Sequence, residues 1–331
     1  MLWVLFGNWM INKMKRYLVV GGAGFIGSNL VAELVKSEDC SLVVADDLSL
    51  GRLDSIRPHM GAGRASFEDC DCSRADLVDS VFSRRGPFDA VFHLAANSDI
   101  ERSSGNPAIE YERTFMTTYR VLEAMRAHGV GEMVFCSSSA IYGDKDGVAV
   151  DETEGPYLPI SYYGGAKLAC EGFISAYAHM NGMRAVILRF PNVVGDNATH
   201  GVILDFIRRL KADSGELRVL GDGNQEKPFL YVKDLVDAIL FVRRSAPEPV
   251  AVYNVGVDSR TKVRDIARIV VEEMGLKDVK LSYAGGSKGW KGDVPKFGYD
   301  LSKIHALGWK AAKSSDEAVR LAARTILKEM A

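Results

Sequence analysis

Apolar and polar positions change rhythm along this chain. Short apolar runs at residues 17–20, 41–45, 65–68, 90–94, 132–137 and 184–189 read as buried strands. Between them lie amphipathic stretches such as 29–36 and 114–128, with apolar residues at helical spacing. This alternation predicts an α/β fold, a doubly wound parallel sheet covered by helices on both faces. Helices over 107–128 and 163–181 are long enough to dock a second subunit, so a homodimer is expected. After about Val194 the pattern shifts. Helices at 202–211, 232–244 and 262–274 are separated by Gly- and Pro-containing loops at 221–228 and 285–295. The expected organisation is an N-terminal extension over 1–15, the doubly wound domain over 16–194, and a smaller C-terminal α+β domain over 195–331.

Composition narrows this reading. A chain of 331 residues, 47% hydrophobic and 25% charged, is that of an ordinary soluble globular protein. A net charge of -2 argues against a nucleic-acid partner, because phosphate binding needs a basic surface. The five cysteines (Cys40, Cys70, Cys72, Cys136, Cys170) contain no CxxC pair and no metal-ligand spacing. They read as reduced thiols of a cytoplasmic protein, with Cys136 and Cys170 as core filler. The apolar opening MLWVLFGNWMIN precedes its positive charges, the reverse of a signal peptide, and is too short to span a bilayer. The first strand is expected near Arg16, which leaves either a start at Met10 or Met14 or a membrane-surface anchor.

Tyr17-Leu-Val-Val-Gly-Gly-Ala-Gly-Phe-Ile-Gly27 is a buried strand running through glycines into a helix. Gly22, Gly24 and Gly27 satisfy GxGxxG, and Gly21, Gly24 and Gly27 satisfy GxxGxxG. Either spacing lets the chain turn tightly and aim a helix N-terminus at a pyrophosphate, as in the Rossmann fold. Asp46 lies 19 residues beyond Gly27 at the end of the second strand. A carboxylate there accepts hydrogen bonds from the adenosine ribose and repels a 2′-phosphate, which favours NAD over NADP.

Tyr163-Gly-Gly-Ala-Lys167 sets a phenol and an ammonium four residues apart on one helix face. A free tyrosine, with a pKa of about 10, is too weak a base at neutral pH. A neighbouring lysine and a positive nicotinamide are expected to lower that value, so that Tyr163 takes a proton from a sugar hydroxyl. Lys167 is expected also to hold the nicotinamide ribose. Upstream, Phe135-Cys-Ser-Ser-Ser-Ala-Ile-Tyr-Gly143 ends a strand with three hydroxyls at the sheet's carboxyl edge, where ligands bind. Ser138 is the candidate partner of the reacting hydroxyl.

With these elements in order on one chain, the sequence resembles the extended short-chain dehydrogenase/reductases, specifically the UDP-glucose (UDP-galactose) 4-epimerase-like sugar epimerases. The likeness runs from about Arg16 almost to the end. It includes GGAGFIG, Asp46-Asp47-Leu48, Gly51-Arg52, Asp71, His93-Leu-Ala-Ala96, Arg189-Phe-Pro-Asn192, Gly221-Asp-Gly223, Asn254-Val-Gly256, Gly292-Asp-Val-Pro295 and Leu307-Gly-Trp309. The resemblance implies that NAD is held at its phosphates by Gly21, Gly24, Phe25, Ile26 and Gly27. It places the adenosine against Asp46, Asp47, Leu48, Ser49, Gly51, Asp71 and Cys72, with Asp71 at the adenine. Leu94, Ala95, Ala96, Ser98, Thr114, Tyr163, Lys167 and Pro191 would complete the cofactor site. A nucleotide sugar, with UDP expected, would be held by Ser138, Tyr163, Asn192, Val202, Lys227 and Phe297. The implied reaction is reversible epimerisation at C4 through a bound 4-keto sugar.

Some positions depart from the family pattern. Thr114 stands where an asparagine is usual, Lys227-Pro228 replaces Arg-Asp, and Trp290 replaces a phosphate-binding arginine, with Lys288 and Lys291 close by. A lysine supplies a point charge where an arginine supplies a fork. Phe297, at a position that gates the sugar pocket, favours sugars without a 2-acetamido group. The alternatives are a C4 dehydrogenase, a 4,6-dehydratase, and a non-catalytic NAD-binding protein. Dehydration needs an Asp-Glu pair after the active hydroxyl, where this chain has Ser139 and Ala140. A non-catalytic protein would be expected to have lost Tyr163 or Lys167.

Overall fold

The computed structural model describes residues 14–331 except 38, 62, 99, 290 and 291; the opening apolar segment, Trp290 and Lys291 lie outside the described residues. Seven strands form the central sheet: β1 (Lys15–Val20), β2 (Cys40–Asp46), β3 (Ala65–Asp69), β4 (Ala90–His93), β5 (Glu132–Ser138), β6 (Arg184–Phe190) and β7 (Val250–Asn254). Their spatial order is β7-β6-β5-β4-β1-β2-β3, and every pairing is parallel. The six runs read from the sequence are six of these strands. The seventh, β7, comes from the part of the chain beyond Val194 and pairs with β6 from Val250↔Ala185 to Asn254↔Arg189. It forms one edge of the sheet, with Ala251, Tyr253 and Asn254 buried and Val250 and Val252 partly buried.

The sheet is buried on both faces, which is why its strands read as continuous apolar runs rather than alternating ones. Helix α1 (Phe25–Ser37) places Leu30, Val31 and Leu34 against Val19, Val44 and Phe92 on one face. Helices α2 (Ala75–Arg85), α3 (Thr117–His128) and α4 (Tyr162–Asn181) cover the other, around Leu18, Val91 and Phe135. A wider π turn over Tyr111–Met116 precedes α3, where the sequence suggests one unbroken helix. Strand order reverses between β1 and β4, so the loops that follow them part and open a crevice at the strands' carboxyl ends.

A separate apolar cluster occupies the C-terminal region. It is built by α5 (Val202–Ala212), α6 (Val232–Ser245), Val263–Glu273 and Ser315–Glu329 around Phe206, Ile207, Ile266 and Val319. Helix α6 also packs on the sheet through Leu235 and Ile239, so this region is fixed to the strand ends. Among the described residues, no helix is long and apolar enough to cross a membrane.

Candidate active site

A cleft of about 990 Å³ follows the carboxyl edge of the sheet and continues under the C-terminal region. At its centre Gly21 takes φ +78°, and a Cβ there would lie 2.5 Å from the Ala95 backbone nitrogen. A Cβ on Gly27 would overlap the Gly21 carbonyl oxygen. Only glycine lets the β1 turn, the first turn of α1 and the β4 loop come this close. Gly21, Gly24 and Gly27 line the cleft, whereas Gly22 packs toward Val19 and Val44, so the GxxGxxG glycines are the ones that face it.

Asp46 ends β2 beside this turn. Its Oδ2 accepts from the Ala23 N–H and its Oδ1 from the Leu48 N–H, each at 2.9 Å. It therefore fixes two loops and still lines the cleft. Burial pushes its carboxyl up, and the two backbone N–H groups partly offset this. Burial also opposes ionisation of Asp47, but bonds from Ser49 and the Arg113 guanidinium hold its carboxyl below the usual value. Arg113 pairs with Asp47 and lies 3.8 Å from Asp71, closing this end of the cleft. Nothing in the sequence marks Arg113; it is one charged position in a helical run.

The other expected cofactor residues line the same cleft: Phe25, Ile26, Ser49, Gly51, Cys72, Leu94, Ala95, Ala96, Ser98 and Pro191. Two do not. Leu48, at φ +57°, turns its side chain onto the core beneath β2. Thr114 is fully buried behind the wall, where its hydroxyl donates to Glu110 Oε2 at 2.8 Å and accepts from the Asn97 N–H at 3.1 Å. A short side chain at that point of the π turn is used up by Glu110, so Asn97 lines the cleft instead.

The catalytic candidates meet where α4 begins. Ser161 caps the helix, accepting from the Gly164 N–H at 3.1 Å. A Cβ on Gly164 would overlap the Ala140 carbonyl oxygen, so this glycine lets the first helical turn press against the turn after β5. Tyr163 thereby comes close to Ser138, whose hydroxyl favours the phenolate. Ser138 Oγ also accepts from the Ala140 N–H at 3.2 Å. Lys167 is buried. Its Nζ donates to the Cys136 carbonyl at 2.7 Å and lies 5.9 Å from the Tyr163 ring centre.

The expected lowering of the Tyr163 pKa is not what these groups produce by themselves. Burial pushes the phenol well above its ordinary value, and the Ser138 hydroxyl opposes this. Burial likewise lowers the Lys167 ammonium. The physical reason is desolvation, which disfavours whichever form carries charge. Cys136 and Cys170 are buried as expected, and burial pushes the Cys136 thiol up to about 12.

At the other end, Asn192, Val202, Lys227 and Phe297 line the cleft. Lys227 is paired with the buried Asp293 and is not a free charge. Lys288 lies 3.6 Å from Asp144. Phe297 packs edge-on to Tyr299, with ring centres 4.8 Å apart. Gln225 is nearly fully buried at the cleft wall, and its Oε1 has no hydrogen-bond partner among the described residues.

The pieces present fit a bound dinucleotide: a glycine cradle that any Cβ would fill, a carboxylate at the end of β2, and a buried ammonium beside a phenol. Comparison with known proteins agrees. UDP-arabinose 4-epimerase 1 of Arabidopsis thaliana is 31% identical over 320 residues, spanning 89% of this chain and 75% of that protein. A crystal structure of UDP-galactose 4-epimerase superposes with a TM-score of 0.85 at 36% identity, covering 96% of this chain and all of that one. That of Thermotoga maritima UDP-glucose 4-epimerase with UDP-glucose gives a TM-score of 0.86 at 30% identity over 96% of this chain. Residues 17–256 match the NAD dependent epimerase/dehydratase family, and the chain belongs to that family.

Proposed function

We propose that the chain interconverts nucleotide sugars epimeric at C4, with a UDP-sugar as substrate and NAD as a cofactor regenerated in each cycle. The observation that carries this reading is the meeting of Tyr163, Ser138 and Lys167 at the floor of a cleft with a dinucleotide cradle on one side. When bound, NAD supplies the redox chemistry, accepting hydride from C4 and giving it back.

The rest belongs to the chain's own residues. Gly21, Gly24 and Gly27 present the N-terminus of α1 to the pyrophosphate, and Asp46 accepts from the adenosine ribose. Ser138 holds the sugar O4, and Tyr163 takes its proton and later returns it. Lys167, desolvated and close to the phenol, stabilises the phenolate. Its ammonium and a nicotinamide cation together oppose the rise that burial imposes. Asn192, Val202 and Lys227 hold the diphosphate end, and the unsatisfied Gln225 Oε1 awaits a donor from the ligand. Residues 195–331 act as the substrate part.

Ser139 and Ala140 offer no acid beside the reacting centre, which supports epimerisation over dehydration. The packed Phe297 ring supports sugars without N-acetyl. Five buried cysteines, none in a disulfide among the described residues, support a reducing, cytoplasmic setting. The exposed Tyr111, Phe173 and Met180 on the helices around α3 and α4 support a homodimer across that face. The test is NMR of UDP-glucose and UDP-galactose incubated with the protein. Each is expected to yield the other. Accumulation of a 4-keto-6-deoxy sugar would overturn the reading.

A further inference from the structure

Helix α4 carries a third polar residue on the face of Tyr163 and Lys167: Glu171, one further turn along. It is 6% exposed, and the Arg189 guanidinium that meets it at the end of β6 is 4% exposed. Arg189 Nη2 donates to Glu171 Oε2 at 2.7 Å, and its Nε contacts both carboxylate oxygens at 3.1 and 3.2 Å. The Ser137 hydroxyl, adjacent to Ser138 on β5, donates to Glu171 Oε1. The remaining Arg189 nitrogen donates to Tyr142 Oη at 2.9 Å, Tyr157 Oη at 3.2 Å and the Glu152 carbonyl at 3.2 Å. Tyr142 in turn donates to Asn254 Oδ1 at 2.7 Å, on the edge strand β7.

Fully hydrogen-bonded buried pairs of this kind are directional; they fix geometry more than they add stability. We propose that Glu171 and Arg189 are positioning residues for the reaction, a clamp that sets the register of α4 on the sheet. Through it the Tyr163 phenol is held at the distance from Ser138 and the sugar that proton transfer needs. Tyr163, Lys167 and Glu171 lie at positions i, i+4 and i+8, so the clamp pins the catalytic face directly. The same clamp ties that face to Ser137, next to the hydroxyl that holds O4. An ordinary core pair would leave the chemistry indifferent to its loss; this one couples three strand ends and the helix at the reacting centre.

This inference rests on the epimerase reading. Wild-type protein that fails to interconvert UDP-glucose and UDP-galactose defeats that reading before any variant is made. With activity established, Glu171→Gln breaks the pair, and the double variant Glu171→Met/Arg189→Met removes both charges so that neither is left buried alone. Turnover is measured per mole of bound NAD, which excludes unfolded protein. The kcat is expected to fall about 100-fold while KM stays within about threefold, because misplacement of the reacting groups costs the transition state and not ground-state binding. The isotope effect with substrate deuterated at C4 is expected to be at least as large as in the wild type. Wild-type kcat per bound NAD in either variant would overturn the proposal. So would a loss of kcat in which the isotope effect disappears, since another step would then have slowed.

Discussion

At the Tyr163 phenol two influences oppose one another. Burial stabilises the neutral form, and the Ser138 hydroxyl favours the phenolate. Because the reaction needs the phenolate, kcat is expected to fall as pH drops through the phenol's working pKa. Tyr163→Phe removes the base and leaves the cradle intact. It should lower kcat by about a thousandfold or more while NAD remains bound, as read by protein-bound absorbance and turnover. Phe297→Ser should raise activity on UDP-N-acetylglucosamine relative to UDP-glucose; an unchanged ratio would remove the gate. Asp46, Tyr163, Lys167 and Ser138 were legible because their spacing to glycines, or to each other, is a chemical requirement. Arg113 and Glu171 were not, because their partners lie at a distance along the chain, and Glu110 was not, because a single charge on a helix carries no signature. Thr114 and Leu48 do not line the cleft, because backbone geometry, a π turn and a left-handed residue, decides where those side chains point.

Between residue and whole, the elements set the site by close approach. Gly164 brings α4 against the turn after β5, so Gly164→Val should separate Tyr163 from Ser138 and abolish turnover even in folded protein, checked by circular dichroism beside the assay. His93 shows how firmly β4 is packed. It is fully buried, stacked 5.7 Å from Phe135, with Nε2 2.9 Å from Thr118 Oγ1 of α3. Burial first, and the Lys167 charge second, lower its pKa to about 3. The unfolded chain therefore binds a proton that the folded one does not, between about 6.5 and about 3. Stability is then complete above the unfolded value and is lost as pH falls, by about 1.4 kcal/mol per unit across that window. Urea unfolding at pH 7 and pH 5 checks this, and His93→Gln should flatten the slope. Six strands, the five inner ones and the edge strand β3, were readable as apolar runs because both sheet faces are covered. The other edge strand, β7, is a short apolar run too, but it lies beyond the change of rhythm near Val194, where no return to the sheet is marked.

The whole molecule joins a doubly wound sheet that holds a dinucleotide to a C-terminal region that closes over the far end of the same cleft. The sequence changes rhythm near Val194, but the return of β7 and α6 to the sheet depends on contacts that sequence spacing does not encode. Phe173 stands exposed among Phe115 and Tyr119, with ring centres 5.1 and 6.2 Å away. If that face joins two copies, Phe173→Glu should convert a dimer into a monomer by light scattering; a wild-type monomer at all concentrations would contradict the proposed assembly. The account as a whole depends on oxidation and reduction of one and the same carbon. The most direct measurement follows UDP-galactose deuterated at C4, by NMR, while absorbance at 340 nm is recorded. UDP-glucose that keeps its deuterium at C4, with no lasting absorbance, is the predicted result. Loss of the label to solvent, or steady growth of NADH, would contradict it.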